Sequence, residues 1–223
     1  MPDLLTAGAP LDGARVALVL VHGRGATAAS ILALGAEIAR GPDGRADLAL
    51  LAPQAPALGP PGGPAGGSWY PHSFLAPLAA NEPHLSAAIR TVVAAVEAAQ
   101  AAGAGRVVLG GFSQGACLAL EVAARHGAAL GLAAAFGLSG ALIGTADGPD
   151  GETAFAYSAP LGGMPVFAGC DPRDAHVPHA RFALSAALFE RLGARADFRV
   201  LPGLGHAVSA DEIAAVRALV GPG

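Results

Sequence analysis

Apolar positions along this chain fall into two alternating patterns. Short, nearly unbroken runs occur at Val16 to Val21, Leu48 to Ala52, Arg106 to Leu109, Leu132 to Leu138, Val166 to Gly169 and Phe198 to Leu201. Between them, Thr27 to Ala39, Glu82 to Ala101, Gln114 to His126, Pro178 to Leu192 and Ala210 to Val220 repeat their apolar positions at helical spacing. Strands buried on both faces read as continuously apolar, and strands alternating with helices build a parallel sheet covered on both sides. The pattern predicts an α/β fold with a mostly parallel central sheet and helices on both faces. Pro83 near a helix start, and Gly103, Gly127 and Gly193 just past helix ends, agree with it.

Two segments interrupt the alternation and are expected to lie over the sheet as loops. Pro53 to Asn81 is rich in Pro and Gly yet contains Trp69, Tyr70, Phe74, Leu75 and Leu78, an aromatic cluster suited either to a pocket wall or to anchoring the loop. Gly144 to Gly163 has few periodic features and is placed on the other side of a cleft. Ala128 to Ala146 carries no charge and approaches the length of a membrane span, but glycines and a serine break it. It reads as the buried strand Leu132 to Leu138, so no stable membrane insertion is expected.

Length and composition narrow the function. The 223 residues fit one domain, 1–223, with a substantial core, and 53% of them are hydrophobic against 13% charged. A net charge of −4 without basic clusters leaves nothing to attract nucleic acid or an anionic membrane surface, which favours a small-molecule substrate. Cys117 and Cys170 have apolar neighbours and no metal-type spacing, as buried free thiols in a reducing compartment do. The first residues lack the basic and apolar segments of a secretory signal, and the expected location is the cytoplasm.

Gly111-Phe112-Ser113-Gln114-Gly115 matches Gly-x-Ser-x-Gly, which places a serine on a sharp turn between a strand and a helix. The pentapeptide alone is weak evidence, since random placement in a chain this rich in Gly gives roughly 0.2 such matches; its setting, after Arg106 to Leu109 and before a helical run, gives it meaning. A serine hydroxyl needs a base and an acid that orients that base. Both are available past later strands, as Asp171 or Asp174 after Val166 to Gly169 and as His206 after Phe198 to Leu201. Backbone donors for a developing oxyanion can come from Gln114, after the serine, and from Arg24 in His22-Gly23-Arg24-Gly25, after the first predicted strand.

Taken in order, His22-Gly23-Arg24-Gly25, Gly111-Phe112-Ser113-Gln114-Gly115, Asp174-x-x-Val177-Pro178 and Gly205-His206 resemble the phospholipase/carboxylesterase family, which includes the acyl-protein thioesterases. The resemblance implies an α/β-hydrolase fold with a minimal cap. It also implies a serine esterase with Ser113, His206 and Asp174 as catalytic triad, oxyanion amides at Arg24 and Gln114, and neither cofactor nor metal. The Val-Pro spacing selects Asp174 over Asp171. Trp69-Tyr70 resembles the aromatic pair of that family's pocket loop, and Phe74 is grouped with it as substrate-binding. Arg24 stands where acyl-protein thioesterases commonly have Leu, which points to the bacterial carboxylesterase branch. Expected partners are small esters, possibly including thioesters or lysophospholipids in the substrate range, and the chain is expected as a monomer or homodimer.

Three rival readings are weaker. Gly23-x-Gly25-x-x-Ala28 satisfies a dinucleotide-binding fingerprint, but Pro53 and Gln54 stand where the ribose-binding acid belongs. Asp171, Asp174, His176 and His179 are possible metal ligands, but the turn that carries them disfavours convergence. A non-catalytic binding protein on a hydrolase fold usually shows a lost Ser, Asp or His, and here all three are present.

Overall fold

The computed structural model describes residues 4–40, 47–58, 66–144, 157 and 159–221. In chain order these form β1 (Leu4–Gly8), β2 (Val16–Val21), α1 (Ala28–Ala39), β3 (Leu48–Pro53), α2 (Leu78–Asn81), α3 (His84–Ala101), β4 (Arg106–Phe112), α4 (Gln114–His126), β5 (Ala134–Leu138), β6 (Pro165–Cys170), α5 (His179–Arg191), β7 (Arg195–Val200) and α6 (Ala210–Val220). The strands make a seven-stranded sheet in the order β1-β3-β2-β4-β5-β6-β7. β1 runs antiparallel to β3, and the other neighbours are parallel.

Alternation along β2 explains why the sheet has a core on each face. Ala17, Val19 and Val21 enter the cluster that includes Val92, Val96, Leu118 and Phe189 of α3, α4 and α5, while Val16, Leu18 and Leu20 enter the one with Ile31, Ile38, Ile213 and Val216 of α1 and α6. Each fully buried aliphatic side chain contributes roughly 2 kcal/mol through removal from water. Arg217 of α6 donates to the Glu37 and Ile38 carbonyls, joining the end of α1 to α6.

Several boundaries differ from those the pattern predicts. β4 continues through Gly110 and Gly111 to Phe112, because these glycines admit neighbours that a side chain would block: a Cβ at Gly110 would stand 2.2 Å from the Phe136 ring. β7 begins at Arg195, three residues before the predicted start; it is an edge strand, and Arg195, Asp197 and Arg199 keep it from reading as apolar. β1 is a further edge strand that the apolar pattern does not show, since four of its five residues are exposed and pairing with β3 defines it. The Pro53 to Asn81 segment contains the short helix α2. The uncharged stretch around Leu132 to Leu138 supplies β5, flanked by β4 and β6, and no described helix is long and apolar enough to cross a membrane. Most of Gly144 to Gly163 lies outside the described residues.

The chain moves from β2 outward to β3, then returns to place β4 on the other side of β2. That reversal opens a crevice at the C-terminal ends of β2 and β4, where open parallel sheets hold ligands. The His22 loop and the Ser113 turn meet there, with a Cβ built at Gly23 lying 3.4 Å from the Ser113 Cβ.

Candidate active site

Ser113 occupies the step between β4 and α4 with φ 56° and ψ −123°, a left-handed conformation that costs a non-glycine residue about 1–3 kcal/mol. The turn is held by its fit. Ser113 N donates to Leu138 O at 2.9 Å, and Cβ atoms at Gly111 and Gly115 would lie 2.5 Å and 2.0 Å from Val21 O. Only glycine at both positions lets β2 and the start of α4 come this close.

His206 Nε2 lies 2.8 Å from Ser113 Oγ, and His206 Nδ1 lies 2.7 Å from Asp174 Oδ2. The second Asp174 oxygen accepts from His176 N at 2.7 Å and Val177 N at 3.2 Å, so the carboxylate is aimed by its own turn. The Asp174 side chain is fully buried, whereas that of His206 is 23% exposed, which leaves the imidazole open toward a ligand. His176 meets the His206 ring edge-on at 4.7 Å, and Phe112 lies 5.1 Å from the same ring.

Asp171 is engaged elsewhere. Its Oδ2 accepts from Gly205 N at 2.7 Å and its Oδ1 from Arg173 N at 2.7 Å. Gly205 N–H and then Arg173 N–H hold this carboxyl below the ordinary carboxylate range. Asp171 therefore fixes the residue before His206 without reaching the imidazole.

Neither the Arg24 nor the Gln114 backbone N–H has an acceptor among the described residues, and Gln114 belongs to the first turn of α4, where amide donors are unpaired by geometry. The loop carrying Arg24 is joined to the Pro53 to Asn81 segment by Gly25 N to Gly67 O at 2.8 Å and Gly67 N to Ala26 O at 2.9 Å. His22 beneath it is buried and neutral, burial lowering its pKa; Nδ1–H donates to Gly23 O at 2.8 Å while Nε2 accepts from Ala55 N at 3.1 Å. Gln54 also donates to His22 Nε2 and accepts from Ala28 N. The dinucleotide-like glycine turn and the residue at its acid position thus serve contacts within the protein.

These elements surround a cleft of about 550 Å³ lined by Arg24, Tyr70, Phe74, Phe112, Ser113, Gln114, Cys117, Val177 and His206, among others. Trp69, expected in the pocket wall, does not line it. The indole is 1% exposed and donates to His22 O at 2.8 Å, bracing the wall from behind. Ser139 and His176 also line the cleft; the sequence offers His176 only as a possible metal ligand and gives Ser139 no role. Ser139 directly follows β5 with φ 51°, a Ser-Gly pair past a central strand being its only sequence signal; His176 lies two residues after Asp174. Cys117 and Cys170 are free and buried, and burial pushes each thiol up to about 12, so neither supplies a thiolate nucleophile at neutral pH.

A model of the phospholipase/carboxylesterase family matches residues 8–220. Among solved structures, a phospholipase/carboxylesterase from Dyadobacter fermentans is 32% identical, with a TM-score of 0.80 over 99% of this chain and 96% of that one. Esterase PE8 is 26% identical, with a TM-score of 0.73 over 98% and 96% of the two chains. The Bacillus cereus carboxylesterase, 21% identical over 99% and 93% with a TM-score of 0.72, shares the fold. No curated protein matches the chain.

Proposed function

The chain belongs to the phospholipase/carboxylesterase family of α/β-hydrolase-fold enzymes, and from that premise we propose that it is a serine esterase acting on carboxylic esters through an acyl-enzyme at Ser113. One observation carries this reading: an unbroken hydrogen-bonded line from Asp174 through His206 to Ser113, opening into the cleft. Ser113 Oγ attacks the ester carbonyl while His206 Nε2 takes the hydroxyl proton, and Asp174 holds Nδ1–H and stabilises the imidazolium. The carbonyl oxygen becomes an oxyanion facing the Arg24 and Gln114 amides; losing one such donor costs about 3 kcal/mol of barrier. His206 then gives its proton to the departing alkoxide. Water, deprotonated by the same nitrogen, attacks the acyl carbon; the Ser113 Oγ–acyl bond breaks, the acid leaves, and His206 returns the proton to Ser113 Oγ.

Phe74, Phe112 and Val177 give the cleft apolar surface for the acyl part of a small ester. Two free thiols fit a reducing cytoplasm. The test is hydrolysis of p-nitrophenyl esters of increasing acyl length, with Ser113→Ala as control. Activity that peaks at one length and vanishes in the variant is expected. Equal activity in Ser113→Ala would overturn the assignment.

A further inference from the structure

The cleft wall at 69–72 is held residue by residue from two side chains. Gln114 Oε1 accepts from Trp69 N at 3.0 Å, and Gln114 Nε2 donates to Tyr70 O at 2.9 Å. Arg24 Nη1 donates to Pro71 O at 2.9 Å, and Arg24 Nη2 donates to His72 O at 2.7 Å. Resting on the reading that the Arg24 and Gln114 amides receive the oxyanion, we propose that the side chains of these two residues are positioning groups that clamp the cleft wall to the oxyanion site, so that one device sets both acyl-chain fit and oxyanion placement.

The chemistry of each side chain suits its half of the clamp. A carboxamide offers one acceptor and one donor, the complement of the Trp69 N–H and Tyr70 C=O that it meets. Both of those residues are 1% exposed, so without Gln114 their backbone groups would be buried unpaired. The guanidinium is a planar fork, and it spans two successive carbonyls where an ammonium could serve one well. Arg24 is exposed, its two carbonyl partners are neutral, and its guanidinium carbon lies 5.9 Å from the centre of the Tyr70 ring. Its removal should therefore loosen the wall without opening the core. The wall is tethered on either side by the Gly25–Gly67 pairing and by Asn81, which accepts from His72 N and donates to Ser73 O. The clamp thus governs the short stretch between fixed ends.

Trp69 is the single tryptophan of the chain, which makes the wall observable without turnover. In Arg24→Leu the backbone amide is retained and both donors are lost. The expected result is red-shifted Trp69 emission with easier acrylamide quenching, and an unchanged thermal midpoint. In the ester series, kcat/KM should fall by roughly tenfold at the preferred acyl length, the worth of one or two hydrogen bonds, and less for acetyl, flattening the profile. Arg24→Lys, able to keep one carbonyl contact, should recover part of both signals. A Trp69 signal as shielded as wild type, or a loss uniform across acyl lengths, overturns the clamp. If the wild type hydrolyses no ester yet Trp69 becomes exposed in Arg24→Leu and is partly restored in Arg24→Lys, the wall clamp stands and the esterase reading falls.

Discussion

Asp171 and Asp174 lie three residues apart in one turn and both accept from backbone amides, but only Asp174 also reaches the His206 ring. Substitution should separate them. Asp174→Asn keeps the shape but no longer favours the tautomer that lets Nε2 accept from Ser113, and kcat should fall by roughly 10⁴-fold. A tenfold effect or less would mean that Asp174 does not orient the base. Asp171→Asn should lower activity far less and instead remove stability at neutral pH that is absent in acid. Because the folded-state pKa of Asp171 is depressed, its contribution is fully present above the ordinary carboxyl value, about 4, and is lost as pH falls through the lower folded value. Urea midpoints of Asp171→Asn should therefore lie below wild type at neutral pH and converge on it in acid. A constant difference down to the acid limit would contradict this linkage.

At the scale of elements, the start of α6 determines where the His206 loop ends. Ser209 Oγ accepts from Glu212 N at 3.2 Å, and Glu212 Oε2 accepts from Ser209 N at 2.8 Å and Ser209 Oγ at 2.9 Å, a closed capping box three residues after His206. Ser209→Ala should cost about 1 kcal/mol in urea unfolding; no loss would show that the box is held by tertiary packing alone. Glu212 is 1% exposed, its Oε1 has no partner among the described residues, and burial pushes its carboxyl up. With a raised folded pKa, stability falls as pH rises through the interval from the ordinary carboxyl value to the raised one. Glu212→Gln can still close the box and carries no charge, so it should be more stable than wild type at neutral pH, the gain vanishing in acid. A Gln variant less stable at neutral pH would show that the charge is needed there.

Across the whole molecule, the continuous sheet ties β1 at one edge to β7 at the other, with α1 and α6 on one face and α3, α4 and α5 on the other. The cleft has no separate support, since Ser113, Asp174 and His206 each follow a strand or its loop at the same end of that sheet. With the cleft wall built on this one sheet, we expect helix signal and Trp69 shielding to be lost at the same urea concentration. Trp69 exposed at a lower concentration than the helices melt would divide the cleft wall from the sheet as a unit of lower stability.

The buried strands and the helices between them are legible in the residues alone, because continuous and helical apolar spacing are local consequences of burial. The turn at Ser113 is equally legible, because Gly111 and Gly115 flank it at the junction between those elements, and the family resemblance pointed to Asp174 rather than Asp171. Features that depend on partners far along the chain emerge only when the chain is folded. β1 exists through β3, and β7 is concealed by the charges an edge strand tolerates. Trp69 braces the wall from behind because His22 O lies within reach of its indole, while Asp171 and Asp174 diverge because Gly205 and His206 arrive from a later loop. Apolar spacing records whether a residue is buried; it carries no information about which distant amide, ring or carbonyl its polar atoms will meet.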